Sequence, residues 1–374
     1  VNKKKVIAAA AAFGVAASLL AVASPANAEP VSGSYVVVGS DTLQDVINAL
    51  ANGTGITGGN VRSLAGDQPI GSFDATGSSS IQTKPNGVRF GRPNGSSDGV
   101  KALSRSIDGA NYTSLTPGGP ANVNITGQVD IARSSSGATQ VVDGALRYIP
   151  FGRDALSYAH SGGANAAFDN IDQATLKGLF ECTITQVGGV TVTPVIPQAG
   201  SGTRKDFLSK IGSSESGMQE VSEGGCVKVG QEHDTNSLAD GSAFPANAVT
   251  AMSAAQWVAQ NTGAGIDRRG TGVKIGSPIA GTPAVTGTGA SMVPNPAFYS
   301  NSTWGRDVYL VVENARITVG DPKYDAGLAN VVSNAAAKLS NTQSTLPSQA
   351  GSVKKKFGFL APSTTTPFRA NLSA

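Results

Sequence analysis

Gly200-Ser201-Gly202-Thr203-Arg204 is the stretch on which the reading of this chain turns: it follows an apolar run at 192–196 and leads into a helical pattern at 204–211. The same order of strand or loop, small hydroxyl residues, then helix recurs twice. It appears at Gly39-Ser40-Asp41-Thr42 ahead of Leu43, and at Gly95-Ser96-Ser97-Asp98-Gly99 ahead of Val100-Lys101-Ala102-Leu103. A helix start presents backbone N–H groups without intrahelical partners and a partial positive charge, and glycine lets an anion come close to them. Taken singly, each Ser, Thr or Asp is an ordinary N-cap. Three such starts converging would make an oxyanion site that needs no large net charge.

Outward from these loops the chain alternates strand-like and helical segments. Tyr35 opens an apolar strand that leads to Leu43, Val46, Ile47 and Leu50 at helical spacing, a βα unit. Further buried strands are read at 129–132, 148–151, 155–159, 192–196 and 308–312, which makes the class α/β. Gly/Ser/Asn-rich segments at 52–60, 74–80, 160–170 and 282–291 read as surface loops, and no repeat of fixed period is present.

In this order the segments resemble the phosphate-binding components of phosphate ABC transporters. Gly39-Ser40-Asp41-Thr42 is similar to that family's first ligand loop, Gly95-Ser96-Ser97-Asp98-Gly99-Val100-Lys101 to its second, and Asp130-Ile131-Ala132-Arg133-Ser134-Ser135 to its third. Gly200-Ser201-Gly202-Thr203-Arg204 is similar to its fourth, and Leu176-Lys177-Gly178-Leu179-Phe180 to the strand-and-turn element before it. The likeness spans roughly residues 34–320, with weaker echoes at 253–260 and 306–312. It implies a two-lobed fold of the periplasmic-binding-protein type II class with the ligand cleft between the lobes. It also implies a non-enzymatic protein that binds a small oxyanion, phosphate first, for ABC-type uptake, without a cofactor. Carried over position by position, the ligand-binding candidates are Asp41, Thr42, Ser96, Ser135, Ser201, Gly202 and Thr203. The family's arginine four residues before the loop serine is Pro197 here, so Arg133, Arg204 or Arg153 is expected to supply the charged donor. Asp41 and Asp98 stand where relatives often carry neutral residues, so either a carboxylate accepts a hydrogen bond from a protonated ligand oxygen or the ligand is another small solute. Ser135 occupies a position that is aspartate in some relatives and serine in others.

The first 28 residues read as a signal peptide: Lys3, Lys4 and Lys5, a short apolar run, then Ala26-Asn27-Ala28 before Glu29. A membrane anchor is the rival reading, but the run is short for a span. Of the 28 basic residues three lie in this leader, leaving as many as the 25 acidic ones. The basic stripe that nucleic acid requires is missing, and the Lys354-Lys355-Lys356 run reads as a solvated tail. Charged residues make up only 14%, against about 25% in an ordinary domain. The expected product is a secreted, extracellular or cell-envelope monomer that meets membrane subunits of a transporter. No cysteine follows the leader to take a lipid. The two cysteines, Cys182 and Cys226, are expected to form one disulfide. Roughly 345 residues exceed what one core usually serves. The expected division is 29–150 plus 308–365 as lobe 1, 151–307 as lobe 2 and 366–374 as a tail, with a helical segment near 327–339 on lobe 1.

Other classes find less support in the residues. Gly95-Ser96-Ser97-Asp98-Gly99 matches a nucleophile elbow formally, but Gly91-Arg92-Pro93-Asn94 interrupts the strand that an elbow needs. The two histidines, His160 and His233, read as structural and as a solvated loop residue. Two histidines and two cysteines give no ligand cluster at metal spacing, and Glu232, Asp234 and Asp240 lack the EF-hand pattern. For a sugar platform only Trp257 and Trp304 are available, the first reading as core and the second as either rim or packing. A purely structural or adhesive extracellular role remains the third class.

Overall fold

The computed structural model describes residues 34–373. The leader reading therefore lies outside the described residues. Ten strands form the main sheet: β1 (Tyr35–Gly39), β2 (Ile70–Ser72), β3 (Ile131–Ser134), β4 (Leu146–His160), β5 (Thr193–Pro197), β6 (Lys228–Gly230), β7 (Ala248–Ser253), β8 (Lys274–Ile275), β9 (Gly305–Glu313) and β10 (Phe368–Ala370). Their order is β6-β5-β7-β4-β9-β3-β1-β2, with β8 and β10 paired to β4. The helices of six residues or more are α1 (Gln44–Asn52), α2 (Ser96–Asp108), α3 (Gln173–Phe180), α4 (Gly202–Lys210), α5 (Ala254–Thr262), α6 (Ala326–Val331) and α7 (Ala350–Lys356). The fold is mixed α/β.

Two halves of this sheet meet through β4. Its first part, from Leu146 to Ala155, pairs antiparallel with β9, and its last part, from Leu156 to His160, pairs antiparallel with β7. The sequence reads this strand as two short ones because Gly152-Arg153-Asp154 breaks the apolar run. The backbone stays extended through the break because both edges are paired. In the first half, alternate residues enter opposite faces, as the pleat dictates. Val37, Ile131, Leu310 and Val312 pack with α1, α6 and α7, whereas Val36, Val38, Ala132 and Val311 pack with α2, Phe90 and Tyr112. Both faces are covered, which explains the unbroken apolar run at 36–38. The second half has its own core, formed by Leu156, Tyr158, Phe180, Ile196, Phe207, Trp257 and Trp304 among others. Trp304 thus packs rather than forming a rim. Helix α5 serves both cores: Trp257 and Val258 face the second, Ala255 and Ala259 the first.

Where β4 leaves the first half, its register against β9 shifts between Val308 and Tyr309, so that Gly152 and Pro150 have partners and Phe151 lies in a bulge. Pro150 has no N–H to offer a ladder, which suits this place. The Phe151 carbonyl accepts a hydrogen bond from Lys354 Nζ at 2.8 Å. Lys354 is only 3% exposed, and its Nζ lies 3.8 Å from the centre of the Phe151 ring. This corrects the reading of Lys354-Lys355-Lys356 as a solvated run: helix α7 turns one of the three lysines inward to serve the bulge, and burial holds its amine well below the usual lysine range.

Two further placements differ from the sequence reading, and two agree with it. Leu176-Lys177-Gly178-Leu179-Phe180 is helical, in α3, not a strand and turn; Asp172 caps it, its carboxylate accepting from Thr175 N at 2.8 Å. The segment 366–374 contains β10, antiparallel to the start of β4. Tyr148 stacks there on Phe368, with ring centres 5.0 Å apart. Cys182 and Cys226 form the disulfide, tying the end of α3 to the segment before β6. Near 327–339, Leu328, Val331 and Leu339 enter the first core. Among the described residues no helix is long and apolar enough to cross a membrane, and no cluster of three or more His, Cys, Asp or Glu side chains could hold a metal.

Candidate functional site

The loops singled out in the sequence come together where the two cores face each other. Gly95, with φ 125°, and Gly200, with φ 86°, lie against one another, and Ser97 N donates to Gly200 O at 3.1 Å. A Cβ on Gly95 would overlap that carbonyl, so the approach of the two loops requires glycine. Beside this contact Ser96 Oγ and Ser135 Oγ are 3.0 Å apart, and Ser135 N also donates to Ser96 Oγ at 3.0 Å. Gly202, the first residue of α4, sits directly against both hydroxyls; a Cβ there would overlap each oxygen. Ser201 acts as the N-cap of α4, its Oγ accepting from Arg204 N at 3.0 Å. The ordinary capping reading therefore holds for that residue.

A second group of hydroxyls lies at the other side. Thr42, in a short 3₁₀ turn (Asp41–Leu43) ahead of α1, and Thr203 of α4 have their Oγ1 atoms 3.4 Å apart. Arg306 Nη2 donates to Thr203 Oγ1 at 2.9 Å and reaches Thr42 Oγ1 at 3.4 Å. Arg306 comes from the first residues of β9 and is held by Asp154 of β4, with Nε 3.0 Å and Nη2 2.9 Å from Asp154 Oδ2, and by Asp206 of α4 at 3.3 Å. Burial alone would pull the guanidinium down, but Asp154 and Asp206 outweigh it and raise it. Burial raises the Asp206 carboxyl, with Arg306 and Lys210 opposing.

Thr42 Oγ1 also donates to Glu232 Oε1 at 3.2 Å. Next to it, His233 Nδ1 donates to Asp41 Oδ1 at 2.7 Å. His233 is 2% exposed, so its reading as a solvated loop residue is corrected. The backbone takes φ 58° there and turns the ring inward, and Gln260 Nε2 donates to its carbonyl. Burial pushes the Asp41 carboxyl up, but the hydrogen bond and charge of His233, with Arg268 and Arg133, hold it below the usual carboxylate range. Four buried atoms in this cluster have no hydrogen-bond partner: Asp41 Oδ2, Glu232 Oε2, His233 Nε2 and Gln256 Oε1.

The structure thus brings together Asp41, Thr42, Ser96, Ser135, Ser201, Gly202 and Thr203. It does not bring the three expected arginines. The Arg133 guanidinium is wholly buried and donates to Gly39 O, Phe73 O and Ser72 Oγ, bracing the first loop from behind. The Arg204 guanidinium binds Glu215 and Glu220 and donates to Pro197 O, and Arg153 pairs with Asp307. Arg306 stands in their place. Nothing in its own segment marks it, because its partners lie 100 and 152 residues away. Asp98 turns back into its own half and accepts from Tyr112 OH, Ser114 Oγ and backbone N–H groups, so only one of the two unexpected carboxylates faces the cluster. His160 is enclosed with Phe168 and Asp169, far along β4, and is structural.

No family model matches this chain, and no curated protein sequence matches it. Among solved structures it is similar to an ABC-type phosphate transport receptor from Vibrio cholerae, at 15% identity and a TM-score of 0.45, over 88% of this chain and 100% of that one. A high-affinity periplasmic phosphate-binding protein, PfluDING, is similar at 14% identity and a TM-score of 0.45, over 88% of this chain and 91% of that one. An OxyR variant from Corynebacterium glutamicum is similar at 10% identity and a TM-score of 0.39, over 87% of this chain and 72% of that one.

Proposed function

We propose that this chain is an exported solute-binding protein that takes a small oxyanion, phosphate first, between its two cores and serves an ABC-type importer. One observation carries the reading: Arg306 Nη2 joins the hydroxyls of Thr42 and Thr203, which come from opposite cores, where the 3₁₀ turn ahead of α1 meets the first turn of α4. Hydroxyls, helix-start N–H groups and a guanidinium are the donors that oxyanions require, and here they are already oriented. Closure of the two cores on the ligand would supply donors from both at once. The reading is of a binder. Ser96 has Ser135 as its hydroxyl partner rather than a histidine, so the elbow-like Gly95-Ser96-Ser97-Asp98-Gly99 lacks the base a nucleophile needs.

The test is calorimetric titration of the protein from residue 29 with phosphate and with sulfate. Phosphate is expected to bind. Thr203→Val is expected to weaken binding by about 1 to 3 kcal/mol, because one ligand oxygen loses its partner. Failure of phosphate to bind or to raise the melting temperature at millimolar concentration would remove the oxyanion reading and leave another small solute, or a non-transport extracellular role, to be sought.

A further inference from the structure

Whatever anion enters this cluster meets a carboxylate already there. Glu232 is wholly buried; its Oε1 accepts from Thr42 Oγ1 at 3.2 Å, and its Oε2 has no hydrogen-bond partner. A threonine hydroxyl has a single hydrogen. In this arrangement Thr42 commits its hydrogen to Glu232, and it can serve an anion only by turning away from that carboxylate. Thr203 differs, since its oxygen accepts from Arg306 and its own hydrogen is not committed to any carboxylate.

The balance of charge points the same way. Asp154, Asp206 and Glu232 surround the single guanidinium of Arg306, while His233 and Arg268 face Asp41 and Asp45 next door. An added oxyanion would raise the negative charge of a dry site, which is costly unless a charge leaves. Asp154 is fixed, accepting from Arg306, Ser253 Oγ and Ala255 N. Asp206 is held by Arg306. Glu232 has one side-chain hydrogen bond, from Thr42, with His233 Nε2 at 3.8 Å, beyond hydrogen-bond distance, and it lies on the loop that follows β6, so it is the carboxylate least tied down.

Resting on the oxyanion reading, we propose that the Glu232 carboxylate sets the affinity of the site: it holds the anion's place on Thr42, and an oxyanion binds by displacing it. Binding is then an exchange of an internal for an external anion, with affinity set by their difference.

Phosphate titrations of the wild-type protein, Glu232→Gln, Glu232→Ala and Thr203→Val test this, with thermal melts of each to show that it is folded. Both Glu232 variants are expected to bind phosphate roughly tenfold tighter or more than wild type, since a buried competing charge has gone, while Thr203→Val binds more weakly. Phosphate binding by the Glu232 variants alone would support the exchange equally. If wild type binds and the Glu232 variants bind equally or more weakly, the carboxylate is a bystander or a ligand group; the exchange is overturned and the oxyanion reading stands. If all four are folded and none takes phosphate, the oxyanion reading itself falls, and the exchange with it.

Discussion

Ser96 and Ser135 on one side of the cluster, and Thr42 and Thr203 on the other, are hydroxyl pairs at comparable spacing, 3.0 and 3.4 Å, each associated with the start of α4. Their surroundings differ. The serine pair is packed against the backbone of Gly202, and its hydrogen bonds run to neutral groups. The threonine pair shares Arg306, and through it two aspartates, and touches Glu232. One half is thus defined by shape and the other by charge. Residue type alone does not distinguish them; what distinguishes them is whether β9 or a glycine backbone lies behind.

The largest effect expected from breaking this contrast is on the charged side. Arg306→Met leaves Asp154, which has no exposed surface, without its cation, and should destabilise the fold by about 3 to 5 kcal/mol in urea denaturation. A loss below 1 kcal/mol would mean that the aspartates do not need the arginine. On the shape-defined side, Gly202→Ala puts a methyl group into both serine hydroxyls and should cost about 1 to 3 kcal/mol in the same measurement. A neutral outcome would show that the two loops can separate freely. The smallest effect concerns pH. Because the Asp41 carboxyl is held below the usual carboxylate range, its contribution to stability is present above about pH 4 and is lost as pH falls through the depressed folded value. Melting temperatures of wild type should therefore fall more steeply below about pH 4 than those of Asp41→Asn. Parallel curves would remove the linkage.

How much of this could be read from the sequence depended on how far each contact reaches. The strand Tyr35–Gly39, the start of α4 and the pairing of Cys182 with Cys226 rest on local pattern or on simple elimination, and each is where it was expected. For α3 it is the family resemblance that implies a strand and turn; Leu176, Leu179 and Phe180 alone fit either period, and the Asp172 cap that decides for a helix lies four residues earlier. Arg306 and His233 were missed for a different reason: a single arginine at the start of a strand, and a histidine in Gln231-Glu232-His233-Asp234, look solvated. Only their partners, Asp154 and Asp41, show otherwise. One signal was present. In a chain with 14% charged residues, two carboxylates flanking one of only two histidines is a local excess, and a dense polar run in a sparsely charged chain deserves to be weighed as interior.

The path of the chain through its two cores also sets an order of assembly. The buried residues of the second core all lie between 155 and 304, with Leu360 packed at its margin. The first needs residues before 152 together with residues after 307, and takes Ala255 and Ala259 from α5 between them. During synthesis from the N-terminus, β3 and the first part of β4 emerge long before β9, the strand that lies between them. Until residue 313 appears, those two strands each present an open edge, and the half that begins first is the half that finishes last. Contacts so distant along the chain close slowly, and open strand edges invite pairing with other chains in the meantime. A factor that shields β3 and β4 during that interval would raise the yield of folded protein without touching its final stability.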